Sequence, residues 1–227
     1  MQGRALEPLS NGDLLLLGCW EGRQSCGLHR WAPGGLIWSF VVPPPDDRVA
    51  PFLAAHEAED GSIWVVESMS YQVWQLAADG SLRIEGRVSS QWFDDWSRQV
   101  PPPGAPSAEE GERTGNVAMW SPLARVRDIR ALGDRVVILG TTGDPSWTEA
   151  GVAGFFDVGR YSDAVVETLD QTNLHVLASV VFHIESGMLT KFVSHHEVLV
   201  SETHALFDRL TIWTLREPFG REGANAR

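Results

Sequence analysis

The sequence predicts an all-β protein built from repeated antiparallel sheets, and two observations carry this prediction. The tripeptide Asp-Gly-Ser occurs at 60–62 and again at 79–81, each time before an apolar run. Asp-Gly favours a hairpin, because glycine accepts positive φ without steric cost and aspartate can hydrogen-bond within its own turn. The second observation is that similar strand–turn–strand units recur along the chain.

The runs beside the two turns have the composition of strands. SIWVVES, YQVWQLA and LRIEGRV are short, rich in Val, Ile, Trp and Tyr, and bounded by turn residues. Their apolar positions do not recur at helical spacing, and β-branched residues cluster in them. The stretch 58–86 is therefore predicted to be a meander of antiparallel strands.

Four units share one plan, in which a short strand and a tight polar turn precede a strongly apolar strand. They lie at 7–18, 56–67, 129–140 and 190–201. A four-stranded propeller blade takes about 40 to 50 residues, which matches the first interval between units; the later intervals are longer. We expect a β-propeller-like array of antiparallel four-stranded blades, about four blade equivalents, in a single domain over 1–227.

Further segments supply the second half of each blade. Hairpins are expected at 28–40 and 73–86, and the outer strands of the later units at 150–169 and 206–217.

Two segments fall outside this plan. Residues 89–121 hold a Pro-Pro-Pro-Gly-Ala-Pro stretch and an acidic patch that cannot pack as regular sheet, so a long loop insertion is expected there. The tail at 219–227 is expected to be disordered.

The D-G-S-I-W-V strand with the V-W-Q-L-A-A-D-G-S-L hairpin resembles the blade pattern of bacterial six-bladed β-propeller proteins of the NHL and TolB-like group. The resemblance is clearest over 7–88 and weaker to about 217. It implies a propeller fold and transfers no catalytic residue. About four blade equivalents fit where the group has six, so the chain is either part of a longer propeller, a small irregular propeller or an open array. An open array would self-associate through its blade edges.

Composition excludes some partners. The formal net charge is −12, and of 18 basic side chains only Lys191 is lysine. Nucleic acids and anionic membrane surfaces need clustered basic residues, so neither is expected as a partner. No apolar run is long enough to span a bilayer, and the N-terminus lacks the pattern of a signal peptide. The compartment stays open between cytoplasm and periplasm or secretion.

Two cysteines, Cys19 and Cys26, flank a short polar segment. They could face each other across a hairpin and form a disulfide, which would favour an oxidising compartment. The alternative is a pair of small buried thiols in a cytosolic protein.

Trp92, Phe93, Asp94, Asp95 and Trp96 form the leading candidate for a ligand site, at the start of the insertion. Flat aromatic faces beside carboxylates suit carbohydrate or cationic ligands, through stacking and cation–π contact. The alternative is that these aromatics pin the loop to the sheet.

His195, His196, Glu197 and Glu202 are the densest group of metal-ligand types, suited to calcium or zinc. His195, His196 and Glu197 also fill the position of a repeat turn, so no cofactor is the simpler expectation.

The sequence contains no nucleophile elbow, phosphate loop or dinucleotide turn. We therefore expect a non-catalytic binding or scaffold protein that presents loops to a protein, peptide or glycan. The alternative is a metal-dependent propeller hydrolase or lactonase, in which Glu57, Asp128, His196 and Glu202 would converge on one cation.

Overall fold

The computed structural model describes residues 2–19, 26–42, 52–95, 124–143, 162–183, 187–194, 197–204 and 207–215. Within these residues the protein is almost wholly β, with one short helix. They group into two compact units. The first comprises 1–88, 128–137 and 169–175, and the second 89–127, 138–168 and 176–227. The single domain expected over 1–227 stays a prediction.

Fifteen strands and one helix make up the described structure. They are β1 (Gln2–Pro8), β2 (Leu14–Cys19), β3 (Cys26–Ala32), β4 (Gly35–Val41), β5 (Leu53–Glu57), β6 (Ile63–Glu67), β7 (Gln72–Leu76), β8 (Leu82–Arg87), α1 (Gln91–Asp94), β9 (Arg125–Leu132), β10 (Arg135–Gly143), β11 (Ser162–Asp170), β12 (Val176–His183), β13 (Gly187–Phe192), β14 (Glu197–His204) and β15 (Phe207–Thr214).

The strands form four antiparallel sheets, and in each sheet neighbouring strands are consecutive in sequence. Three sheets have four strands, β1–β4, β5–β8 and β9–β12, and the fourth has β13–β15 among the described residues. This confirms the all-β, propeller-like array of about four blades. The insertion beyond Asp95 and the tail at 219–227 lie outside the described residues.

Turn chemistry sets the hairpin register in the meander. At the first Asp-Gly-Ser turn, Oδ1 of Asp60 accepts hydrogen bonds from Ser62 N at 2.9 Å and Ser62 Oγ at 2.6 Å. Gly61 has φ +75°, and β5 pairs with β6 directly across the turn, with Glu57 opposite Ile63. The second turn repeats the arrangement, since Asp79 Oδ1 accepts from Ser81 N and Oγ. The predicted meander is confirmed.

The core of the first unit lies between the sheet β1–β4 and the sheet β5–β8. Apolar side chains of β2, β3, β6 and β7 meet there, with Leu15, Leu28, Val65 and Leu76 almost wholly inaccessible to solvent. Phe40 contacts Trp74 edge to face, with ring centroids 6.0 Å apart. Burial on this scale is the main force that holds stacked sheets together.

In the second unit the middle strands carry the buried side chains. Ile138 and Leu139 of β10, and Val165 and Val166 of β11, are buried. Phe182 of β12 stacks on Trp213 of β15 with ring centroids 6.2 Å apart.

Cys19 and Cys26 are paired in register at the end of β2 and the start of β3, and the structure joins them in a disulfide. Of the alternatives that the sequence left open, the structure has the bridged one. Among the described residues, no helix is long and apolar enough to cross a membrane.

Candidate functional site

The candidate site begins at the segment 89–95, which follows the last strand of the second sheet. Backbone N–H groups of Phe93 and Asp94 donate to the Ser90 carbonyl at 3.0 and 2.8 Å, which closes the single turn of α1. Ser90 stands at the N-cap, yet its side chain makes no capping bond. Its hydroxyl is engaged elsewhere, and that contact anchors the segment to strand β11.

Glu167 of β11 is the anchor. Its side chain is fully buried, and Oε1 accepts hydrogen bonds from Ser90 Oγ at 2.5 Å and Trp92 Nε1 at 3.0 Å. On β10, Thr142 Oγ1 donates to the Trp92 carbonyl at 2.8 Å. Bonds to a charged acceptor are stronger than bonds between neutral groups, and buried ones are costly to lose. Two strands therefore fix the position of α1.

The two aromatic side chains of α1 pack inward. Trp92 is 6% exposed and Phe93 is 0% exposed, and their rings meet edge to face at 5.5 Å. The six-membered ring of Trp92 lies so close to Gly140 that a Cβ added there would be 2.6 Å from Cη2. The Trp92 side chain thus holds the segment against β10, and little of its ring face is available to a ligand.

A cleft of about 590 Å³ opens beside this segment. Its lining comes from the segment 89–95 and from β10, β11 and β12, and comprises Ser89, Ser90, Gln91, Trp92, Asp95, Thr142, Gly143, Asp163, Glu167, Val176, Ser179 and Val181. The described lining combines three carboxylates with four hydroxyls and an amide, and none of these lining residues is Lys or Arg. Such a surface accepts hydrogen bonds from hydroxyl or amino groups, while two valines and Trp92 offer apolar contact.

Asp163 connects the cleft to a histidine on the neighbouring strand. Nδ1 of His183 lies 3.0 Å from Oδ1 of Asp163, and the side chains are 49% and 16% exposed respectively. The pair joins the start of β11 to the end of β12. It gives this part of the cleft a carboxylate that is held in place, beside an imidazole open to solvent.

The predicted ligand-binding block is thereby divided between two roles. Trp92 and Phe93 are buried, whereas Asp94 and Asp95 are exposed. Asp95 lines the cleft, and Asp94 Oδ2 accepts from Ser89 Oγ at 3.1 Å. Trp96 lies outside the described residues. That this block binds a ligand stays a prediction.

The predicted metal ligands are described only in part. His195 and His196 lie outside the described residues, as does the side chain of Glu202. Oε2 of Glu197 accepts from Ser194 Oγ at 3.0 Å, which closes the turn before β14. Within the described part of the chain, no three potential ligand side chains cluster. The metal site and its calcium or zinc remain predictions.

Two carboxylates of the hydrolase alternative lie in the first unit. Glu57 Oε2 accepts from the Ser10 amide at 2.5 Å, and Asp128 Oδ1 accepts from the Ile129 amide at 2.9 Å. Glu57 therefore holds the turn that follows β1, and Asp128 accepts from the residue next to it. Their convergence with His196 and Glu202 remains a hypothesis.

Sequence reasoning missed Glu167, although a signal for it exists. The tripeptide Val-Val-Glu occurs at 65–67 and at 165–167, and both glutamates are buried within apolar strands. Glu67 organises a turn, because its Oε2 accepts from Met69 N, Ser70 N and Ser70 Oγ. A lone glutamate inside an apolar run predicts a buried, hydrogen-bonded carboxylate.

No protein-family model and no curated protein sequence matches the chain. Among solved structures, it is similar to virginiamycin B lyase from Staphylococcus aureus, in a catalytically inactive form with quinupristin. The TM-score is 0.42 at 13% identity, over 86% of this chain and 46% of that chain. A second virginiamycin B lyase structure is covered over 56% of its length, so the chain spans about half of these relatives.

Two further similar structures are of proteins other than virginiamycin B lyase. The α-L-arabinanase of Cellvibrio cellulosa, complexed with arabinohexaose, has a TM-score of 0.46 at 13% identity, over 98% of this chain and 75% of that chain. Drosophila plexin A in complex with semaphorin 1b has a TM-score of 0.39 at 8% identity, over 93% and 39%. Similarities at this level transfer neither a residue nor an activity, so the fold assignment rests on the four sheets themselves.

Proposed function

We propose that the protein is a non-catalytic, propeller-type binding protein whose cleft beside α1 takes a glycan or a similar polyhydroxylated ligand. The observation that carries the proposal is the composition of the cleft. Hydroxyls, carboxylates and an amide share a surface with Val176, Val181 and the edge of Trp92. Sugars need that combination, because they present many hydroxyl donors around small apolar faces.

The site is also preorganised. Glu167 holds Ser90 and Trp92, and Thr142 holds the Trp92 carbonyl, so the segment that forms one wall is fixed before a ligand arrives. A preformed wall lowers the entropy cost of binding. A protein or peptide remains an alternative occupant, and a peptide amine would also suit the carboxylates of Asp95 and Asp163.

The same proposal includes two finer points. The Asp-Gly-Ser hairpins support the NHL and TolB-like group as the source of the blades. The Cys19–Cys26 disulfide supports an oxidising compartment, such as the periplasm or the exterior. The metal-dependent hydrolase remains the alternative, and an unchanged thermal midpoint with calcium, zinc or chelator would count against it.

The first test is a glycan array followed by titration calorimetry with the best oligosaccharide found. The informative variant is Asp95→Ala, because Asp95 lines the cleft and is exposed, so its loss should not disturb folding. Loss of a hydrogen bond to a charged acceptor should weaken binding by about 10- to 100-fold. Asp94→Asn is the control: it neutralises the adjacent, exposed carboxylate, which does not line the cleft, while its side-chain oxygen can still accept from Ser89 Oγ, and it should change affinity less than about twofold.

The two results that would count against the proposal are different. If no oligosaccharide binds the wild-type protein, the ligand class is wrong. If binding occurs but both aspartate variants bind as tightly as the wild type, the glycan occupies another surface.

A further inference from the structure

Two acidic side chains of strand β11 line the cleft beside α1. Asp163 and Glu167 are four residues apart, so they lie on the same face of the strand, with their Cα atoms about 13 Å apart. The cleft therefore runs along β11 from one carboxylate to the other. A third carboxylate, that of Asp95, comes from the segment 89–95 and is exposed.

The two carboxylates of β11 have different surroundings. Glu167 is fully buried, and its Oε1 accepts from Ser90 and Trp92, so this carboxylate holds the wall of the cleft. The side chain of Asp163 is 16% exposed, and its Oδ1 lies 3.0 Å from Nδ1 of His183. A carboxylate has about four acceptor positions, and the contact with His183 uses one of them. Asp163 is thus fixed in position and able to accept hydrogen bonds from a ligand.

The charge of these side chains determines which ligand they favour. A ligand that fills the cleft takes water away from Asp163 and Asp95, and removing water from a carboxylate costs free energy. Neutral hydroxyl groups offset that cost only in part. An ammonium group offsets more of it, because its hydrogen bonds to a carboxylate are charge-assisted and roughly twice as strong. None of the described lining residues is Lys or Arg, so none of them repels a cationic ligand.

We propose that the ligand of this cleft is an amino sugar with a free, protonated amino group, and that Asp163 is the residue that selects it. This inference rests on the glycan function proposed above and narrows it to one class of sugar. The ammonium group donates to the Asp163 carboxylate, and Ser179 and Val181 of the neighbouring strand offer the ring a hydroxyl and an apolar contact.

Three oligosaccharides of equal length and linkage test the selection, because they differ only in the group at carbon 2 of each sugar. Cello-oligosaccharides carry a hydroxyl there, chito-oligosaccharides an N-acetyl group and chitosan oligosaccharides an amino group. Their affinities for the full chain are measured by titration calorimetry at about pH 6, where the amino group is protonated, and at about 0.15 M salt, which screens long-range attraction. We expect the amino form to bind about 10- to 100-fold more tightly than either neutral form.

Asp163→Asn locates the selection. Asparagine keeps the size and the acceptor oxygen of the side chain but removes its charge, so the ratio of the affinities for the amino and hydroxyl forms should fall below about threefold. Asp134→Asn is the matched control, because it removes the same charge from a side chain that is 92% exposed and does not line the cleft. It should keep the wild-type ratio, which corrects for the general attraction of a cation to a chain of net charge −12.

Asp163→Ser keeps the test decisive if Asp163→Asn does not fold, since its hydroxyl can still form a hydrogen bond with His183. If the amino form binds the wild type no more tightly than the hydroxyl form, or if none of the three binds, the cleft does not select an amine and the inference is wrong. If the amino form is preferred but the Asp163 variants keep the wild-type ratio, Asp163 is not the selecting residue. The glycan array is a separate measurement, and the glycan function itself fails there only if no oligosaccharide binds.

Discussion

At the scale of single residues, aspartate side chains close three turns in the same way. Asp60 and Asp79 each accept two hydrogen bonds from the serine two positions later, and Asp170 accepts from Thr172 N at 2.7 Å and Thr172 Oγ1 at 2.5 Å. The third turn contains no glycine, so a search for Asp-Gly does not find it. The shared feature is Asp followed two residues later by Ser or Thr, which forms an Asx turn.

Two turn glycines of equal conformation have different surroundings, which makes a matched pair for mutagenesis. Gly61 and Gly80 have φ of +75° and +85°, but an added Cβ would meet only Ala78 at 4.0 Å at the first site and the ring of Trp38 at 2.7 Å at the second. Gly61→Ala should lower the free energy of unfolding by about 1–2 kcal/mol, through backbone strain alone. Gly80→Ala should lower the free energy of unfolding by about 1–3 kcal/mol more than Gly61→Ala does, because the Trp38 indole must also move.

Urea unfolding of both variants measures the difference. Gly34→Ala is the control, because an added Cβ there meets nothing within 4 Å and φ is not positive. It should leave the free energy of unfolding within about 0.5 kcal/mol of the wild type. Equal losses for the variants at Gly61 and Gly80 would contradict the contact with Trp38.

At the scale of secondary-structure elements, the hairpins were predictable because their signals are local. Apolar strands on either side of a polar turn with glycine identify β1–β2, β5–β6 and β9–β10, and the structure has all three. The register of each pair follows from turn geometry and from the apolar face that must be buried.

Of the candidate site, the sequence predicted only the segment at which it begins. The block of aromatic and acidic residues after the second sheet marks the segment that forms one wall of the cleft. Glu167, Asp163 and His183 lie some 70 to 90 residues further along, and nothing in their local sequence indicates which segment they contact. Long-range side-chain contacts depend on how sheets pack, and sequence periodicity does not contain that information.

The hairpin β2–β3 carries a covalent constraint whose contribution can be measured. The disulfide between Cys19 and Cys26 closes a loop of about eight residues, for which the chain-entropy model gives about 2–3 kcal/mol. We expect the Cys19→Ser/Cys26→Ser double variant to unfold at lower urea concentration by a corresponding amount. The wild type in dithiothreitol should match it.

Comparison of the two conditions provides the control. Dithiothreitol should not change the urea midpoint of the double variant, because no disulfide remains to be reduced. A wild-type midpoint that is the same with and without dithiothreitol would show that the bridge is absent or contributes nothing.

At the scale of the whole molecule, opposite electrostatic effects act as pH falls. The formal net charge of −12 decreases in magnitude as carboxylates take up protons, which relieves repulsion across the chain. Against this, hydrogen bonds to the carboxylates in the turns hold four pKa values below the ordinary range. The Asn11 amide, followed by Arg30, lowers the pKa of Asp13, and the Ser62, Ser81 and Thr172 hydroxyls lower those of Asp60, Asp79 and Asp170.

The sign of the second effect follows from linkage. A carboxyl whose pKa is lower in the folded state stabilises the fold above its unfolded pKa of about 3.9, and this contribution is lost as pH falls through the folded value. The relief of charge repulsion builds up over a wider pH range, whereas the stability contributed by the turn carboxylates is lost mainly below about pH 4. We therefore expect the urea midpoint to change little between pH 7 and pH 5 and to fall steeply below pH 4.

The Asp60→Asn/Asp79→Asn double variant separates the two effects, since it changes the net charge by only two units. Asparagine can still close each turn through its side-chain oxygen, but it does not titrate. At pH 6 the variant should be less stable than the wild type, because neutral acceptors form weaker hydrogen bonds. Between pH 5 and pH 3 its urea midpoint should fall by less than that of the wild type. Parallel curves for the two proteins would mean that acid sensitivity comes from other carboxylates, and that these turns are held by backbone conformation alone.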